Sequence, residues 1–397
     1  MSKINVLAAG PTRPAVKVAL TAVAVGLWWI SLYLYVPTLP VYVESKTATL
    51  TLVGVVLAQY GLWQAVIRLP LGIASDWSGR RNPWIHLGFL LAGIGAWLMG
   101  SAAGYPGLLV GRAVTGLAAG SWVVMVVAFS SLFSPREAVR ATTILTLVNS
   151  FSRMLATGAN GVLNEIGGYE LAFYLAAASA LVAILVFLPV REIPRQPQKT
   201  SLSSIGAVLS RRDVYLPSLL NGLLQYVAYA TTFGFVPILA RKLGASEVAL
   251  GLLVSFNIGV VLVGNLVAST LLRFTTPKSL VYVGFGITAV GVFLAGQANY
   301  LTWIYVSQLI IGLGNGLAYP LLMGMSIEYV KENRRSTAMG LHQAVYAIGM
   351  FAGPWISGIL ADRLGIQPMF TLTAVVILVV SIGTTSLLRK PDPIENL

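Results

Sequence analysis

Two arginines stand inside stretches otherwise suited to hydrocarbon: Arg112 in the apolar run 106–133 and Arg153 in the run 139–164. An ionised guanidinium near mid-bilayer costs at least a few kcal/mol, so each must face a partner or a water-filled cavity. The chemistry such a group offers is anion binding, because its planar fork of N–H donors matches a carboxylate or phosphate. Asn149, Arg153, Thr157, Asn160 and Asn164 recur every three or four residues, which puts them on one helix face. That face is either a ligand-facing stripe or the glue between this helix and a neighbour. Acids are scarce by comparison. Of 13, only Glu165 and Glu328 come near an apolar run, both close to its ends. If protons are moved, the carriers are Glu165, Glu328, Asp76 or His342, although a lone histidine such as His342 serves more commonly in helix packing.

Aromatic and amide side chains gather in three of the runs. Trp28, Trp29, Tyr33 and Tyr35 lie in the first, Gln225, Tyr226, Tyr229 and Phe233 in the seventh. In the tenth, Gln308, Asn315 and Tyr319 stand at i, i+7 and i+11, again one face. Tyr35 and Tyr42 read as interfacial belt residues. The candidates for ligand contact are Arg112, Arg153, Trp29, Tyr33, Gln225, Tyr229, Gln308 and Asn315. Enzyme chemistry is not indicated: there is no Cys, no H-E-x-x-H and no G-x-x-x-x-G-K-[ST] loop. Gly312-Leu313-Gly314-Asn315-Gly316 falls within an apolar run, where helix packing accounts for it. No metal site and no cofactor are expected.

The elements that carry these residues are membrane helices. The chain is 56% hydrophobic and 10% charged, with mean hydropathy +0.80, against about 25% charged in soluble domains. Runs of the length needed to cross roughly 30 Å of hydrocarbon fall at 16–39, 48–74, 84–103, 106–133, 139–164, 170–190, 213–240, 246–272, 278–296, 299–329, 335–360 and 367–388. The first reads as a spanning helix and not as a cleaved leader. The interval 191–212, with Pro194, Pro197 and several Ser, has linker composition and divides the chain into 1–190 and 213–397. The two parts repeat. Val36-Pro37 falls on Val236-Pro237, and Gly116 and Gly120 fall on Gly312 and Gly316; Gly161, Glu165, Gly168 and Phe173 fall on Gly358, Asp362, Gly365 and Phe370. The expected fold is all-α: twelve transmembrane helices in two pseudo-symmetric six-helix bundles. The net charge of +13 follows the topology. With both termini cytoplasmic, twenty of the 26 cations, Arg68 among them, fall inside, which excludes nucleic acid as the reason for the charge.

Between the second and third runs lies a short polar turn, Gly72-Ile73-Ala74-Ser75-Asp76-Trp77-Ser78-Gly79-Arg80-Arg81. It resembles the G-x-x-x-D-x-x-G-R-R/K signature of the major facilitator superfamily of secondary transporters. Arg112 with Gly116 resembles that family's R-x-x-x-G pattern on the fourth helix. The resemblance covers essentially the whole chain and implies rocking of two bundles about a cavity lined by helices one, four, seven and ten. It implies that Asp76 latches the halves in the outward-facing state, with Gly72, Gly79, Arg80 and Arg81 in support. The second-half counterpart, Ala268 to Pro277, lacks the acid and the paired arginines. The family's Gly-Pro stretch on helix five reads here Ala156-Thr157-Gly158-Ala159-Asn160-Gly161, without proline, while Gly353-Pro354 sits on helix eleven. Two functions are expected from this: a proton-coupled exporter of a small organic solute, or a symporter or exchanger of an organic anion held by Arg112 and Arg153. Either one works as a monomer in the bilayer of a bacterial cytoplasmic (inner) membrane, multi-pass, with a small-molecule substrate and protons as the candidate coupling ion.

Overall fold

The computed structural model describes residues 14–134, 137–192, 211–330 and 335–388; among them there is no strand. Most of the expected linker, 193–210, lies outside the described residues. The helices are α1 (Pro14–Tyr33), α2 (Leu39–Ser45), α3 (Leu50–Ser78), α4 (Asn82–Gly100), α5 (Tyr105–Gly120), α6 (Trp122–Ser130) and α7 (Ala138–Phe187). After the linker come α8 (Arg212–Ala230), a π-helical segment Thr231–Phe235, α9 (Val236–Lys242), α10 (Glu247–Leu271), α11 (Pro277–Gly296), α12 (Leu301–Glu328), α13 (Arg335–Leu364) and α14 (Ile366–Ser386). Eleven helical stretches among the described residues are long and apolar enough to cross a membrane.

Local chemistry sets the ends. Thr49 caps α3 by accepting from Leu52 N, and Ser246 caps α10 by accepting from Ala249 N, the same device at the two repeat positions. The first run was expected as one helix over 16–39. It stops at Tyr33, and the chain turns through Val36-Pro37 into α2, because proline has no N–H to continue the ladder. The repeat partner Val236-Pro237 follows the π segment in the seventh run. The run 106–133 is likewise interrupted, at Ser121 between α5 and α6. Runs five and six are joined in α7, where Gly167 and Gly168 leave helical geometry; Gly168 (φ 72°) and its partner Gly365 (φ 92°) both occupy the left-handed region that favours glycine.

The helices before residue 192 pack on one another through α1–α7, α3–α5, α4–α5 and α4–α7, and those after 211 through α8–α13, α10–α12, α11–α12 and α11–α14. Two seams join the groups, α3 with α13 and α7 with α10. Both depend on missing side chains. A Cβ on Gly358 would stand 2.7 Å from Leu50 O, and one on Gly251 2.8 Å from Thr157 O. Small residues at such crossings let backbones approach, as membrane helix packing requires. The outward surface is apolar: Phe151, Leu185, Leu266 and Val379 are all exposed. Tyr35 and Tyr42, expected as belt residues, are buried, because they pack on Phe173 and Tyr169.

Candidate functional site

Arg153 projects from α7 into a cage of rings from both groups of helices. Its guanidinium carbon lies 4.2 Å from the Tyr33 ring centroid, 5.8 Å from Trp29 and 5.9 Å from Phe233. Trp29 and Tyr33 come from α1 and stand 5.6 Å apart; Phe233, from the π segment, meets Tyr33 edge-on at 6.0 Å. The Tyr33 and Tyr229 hydroxyls are 3.4 Å apart, and the Tyr229 ring stacks on Tyr60 of α3 at 6.2 Å. The Tyr60 ring in turn lies 4.2 Å from the guanidinium of Arg112. Two guanidiniums thus flank a column of three tyrosines.

A third belongs with them. Arg68, expected at the cytoplasmic surface, is only 4% exposed. It donates to Gln343 O at 2.9 Å and to Tyr346 Oη at 3.1 Å, with the Tyr346 ring beneath it at 4.6 Å. The expectation failed because position was read from the run's end, whereas α3 carries the helix on to Ser78. Gln64, one turn earlier, accepts from Tyr346 Oη, and the Gln64–Arg68 spacing was the overlooked signal.

No ion pair satisfies these cations. The four among the described residues are Arg140–Glu137, Arg211–Asp213, Arg241–Glu247 and Lys242–Glu44, all at helix ends. Contact with an aromatic face returns about 0.5–2 kcal/mol, less than the several kcal/mol that burying a charge costs. The buried groups here without a protein partner are chiefly donors: Nε of Arg68 and Arg153, Nε and Nη1 of Arg112, Nε1 of Trp28 and Trp29. Such a site is matched by an acceptor-rich, negatively charged ligand with a flat apolar body.

The other candidates divide. Tyr229 stands in the column itself, Gln225 is buried one turn earlier on α8, and Asn315 is half-buried. Gln308 is fully buried among the later helices, accepting at Oε1 from Thr232 and at its backbone O from Asn257. Of the proton-carrier candidates, Glu165 and Glu328 are exposed at helix ends. His342 is buried between α13 and α8, with Asn221 Nδ2 at 2.7 Å from its Nε2 and Ser218 Oγ at 3.1 Å from its Nδ1.

The two ends of the bundle differ. At the end opposite the basic turns, both seams are clasped. Asp362 of α13 accepts from Leu50 N at 2.7 Å, from Thr51 N at 2.8 Å and from Thr51 Oγ1, closing over the N-terminus of α3. Glu247 accepts from Tyr169 Oη at 2.7 Å and Asn164 Nδ2 at 3.2 Å and pairs with Arg241. Along the first seam the register is antiparallel and constant: Leu50 faces Asp362, Gly54 faces Gly358, Gly61 faces Met350 and Arg68 faces Gln343. Beyond Arg68 the glycines are no longer closely packed: a Cβ on Gly72 or Gly340 would meet nothing within 4 Å. In the turn, Gly79 adopts φ 61° and Asp76 and Arg80 are exposed; the acid that binds its backbone is Glu192, which accepts from Arg81 N and Asn82 N at 2.8 and 2.9 Å.

The family profile described as Major Facilitator Superfamily matches residues 21–220 and again 218–396. An uncharacterized MFS-type transporter of Methanocaldococcus jannaschii is 23% identical over 368 residues, covering 87% of this chain and 91% of that protein. The quinolone resistance protein NorA of Staphylococcus aureus is 22% identical over 390 residues, covering 92% and 96%. The class H tetracycline resistance protein of Pasteurella multocida is 22% identical over 337 residues, covering 82% and 84%. Among solved structures, a bacterial homolog to the human lysosomal transporter Spinster, inward-facing and occupied, aligns with TM-score 0.79 at 16% identity, covering 95% of this chain and 97% of that one.

Proposed function

The chain belongs to the Major Facilitator Superfamily, and from that premise we propose that it carries an organic anion with a flat, aromatic body across the membrane by alternating access. It is a multi-pass transporter and not an enzyme. The observation that carries the anion reading is Arg153, ringed by Trp29, Tyr33 and Phe233, with no carboxylate paired to it among the described residues. Counting α7 as two spans gives twelve helices. The repeat then divides into six-helix bundles over 1–190 and 213–397, with linker 191–212 and both termini at the basic, cytoplasmic end of an inner membrane.

In this reading the conformation is inward-facing. Asp362 and Glu247 hold the outer seams, and Arg153, Asn315 and Tyr346 are half-buried toward the cytoplasmic side. Asp76 is released here and latches in the opposite state: extended past Arg68, the α3–α13 register brings it opposite Arg335, where α13 begins. Export is the direction favoured by relatives named for tetracycline and quinolone resistance. A proton counter-ion draws no support from Glu165 and Glu328, which are exposed, or from His342, whose ring nitrogens are both engaged by α8.

Proteoliposomes loaded with the purified protein test the reading. Salicylate, an aromatic carboxylate, should be transported, and Arg153→Gln should cut its transport at least ~10-fold, the effect of losing a charge-assisted pair. If instead ethidium is driven by a pH gradient and Arg153→Gln leaves it unchanged, the carrier is a proton-coupled cation exporter and the anion assignment is wrong.

A further inference from the structure

We propose that Arg112 forms a second anion subsite on the transport path, sealed from the Arg153 cage by Tyr229, which acts as the gate between them. The inference rests on the anion reading above and adds a second station and a moving part to it.

Depth separates the two arginines. At 1.5 Å per residue, Arg112 lies about 10 Å from the outer start of α5, whereas Arg153 lies about 20 Å from the glycine kink that ends its span. Exposure separates them in the same sense: Arg153 is half-buried, Arg112 only 3% exposed. Yet Arg112 is not a satisfied core residue. Its Nε and Nη1 are buried without a protein partner, and the neighbours it does have are neutral, the Tyr60 ring face and the Tyr35 hydroxyl. A charge left so underused is costly unless a ligand reaches it in some other state.

What stands between is one side chain from the other group of helices. Tyr33 and Tyr60, each 4.2 Å from its arginine, belong to α1 and α3, but Tyr229 belongs to α8 and is inserted between them, hydroxyl to hydroxyl with one and face to face with the other. When the bundles rock apart at the outer end, Tyr33 and Tyr60 stay with their arginines while Tyr229 leaves with α8. The backbone allows that motion locally. Tyr229 is the penultimate residue of α8; Thr231, at φ −100°, ψ −89°, breaks the helix, and the π-helical segment runs from there to Phe235, just ahead of Pro237. Single π turns inside helices recur at functional positions because they leave the ladder adjustable. A carboxylate that leaves Arg153 as Tyr229 withdraws therefore meets the donors of Arg112 on its way outward.

The chain contains no Cys, so one introduced thiol reports on one place. Thr115 is fully buried one turn from Arg112 on the same helix face and leaves the arginine intact. In inside-out vesicles, Thr115→Cys should react with an anionic, membrane-impermeant methanethiosulfonate at least ~10-fold faster once Tyr229→Ala is added, as a shift in the accessible population requires. Tyr229→Phe, which keeps the ring, should react like the parent and controls for misfolding. Salicylate should slow labelling of the Thr115→Cys, Tyr229→Ala protein, and Arg112→Gln should abolish that protection. No acceleration by Tyr229→Ala removes the gate; protection that is absent, or that survives Arg112→Gln, removes the subsite. Failure of the anion reading is seen separately, as wild-type protein that transports no salicylate.

Discussion

His342 was a proton-carrier candidate from sequence, and its neighbours decide what it does. Asn221 donates to Nε2, so the proton sits on Nδ1 and is given to Ser218 Oγ, whose own hydrogen goes to Val214 O at 2.6 Å. Both ring nitrogens are thereby engaged by α8, and His342 serves to join α8 and α13. The expected consequence of His342→Ala is a loss of about 1–3 kcal/mol in stability, from orphaned buried groups, with the pH profile of transport unmoved. Thermal unfolding in detergent and transport rates across pH measure the two parts; a displaced profile would return His342 to the coupling machinery. Arg153 is the reverse case. Its charge is poorly served by the fold itself, which is what is expected of a residue kept for a ligand.

Elements carry the conformational balance. The α3–α13 pair bears an acid near the C-terminal end of each helix, Asp76 and Asp362; Asp362 reaches the N-terminus of α3, and in the proposed outward-facing state Asp76 does the same for α13. Free N–H groups and the helix dipole favour a carboxylate there by roughly 0.5–2 kcal/mol. Only the Asp362 end is engaged in this conformation. Asp362→Asn should therefore weaken the outer clasp and raise the outward-open population several-fold, read as a longer spin-label distance between the outer ends of α3 and α13. An unchanged distance distribution would mean that the glycine contacts of the seam hold the outer end closed without it.

At the scale of the whole molecule, rocking is a competition between the two ends. With Asp76 exposed here and Asp362 bound, Asp76→Asn should leave this conformation intact and destabilise the opposite one. The same pair of spin labels should then report a loss of the outward-open fraction; a gain would reverse the assigned role of the Gly72–Arg81 turn. The mutants are predicted to act in opposite directions, which no general loss of stability would produce.

Apolar run length, the glycine repeat and a turn at Gly79 were legible in the chain, because bilayer thickness imposes span length and a tight turn imposes φ > 0 at Gly79, Gly168 and Gly365 whatever surrounds them; the expected turn from Gly72 is shorter, since residues up to Ser78 stay in α3. The cost of a buried guanidinium is equally context-free, so Arg112 and Arg153 announced themselves. Partners did not. That Arg68 leaves the surface for Tyr346, that Glu192 and not Asp76 binds the turn, and that Asp362 caps α3 from more than three hundred residues away depend on which helices become neighbours. So does the insertion of Tyr229 between Tyr33 and Tyr60. The sequence determined a membrane-spanning helical repeat with unpaired positive charge inside it, since those follow from the energy of single residues in hydrocarbon. Only the tertiary structure decided where that charge faces and which end is closed, since pairwise contacts between distant helices exist only once the helices have packed.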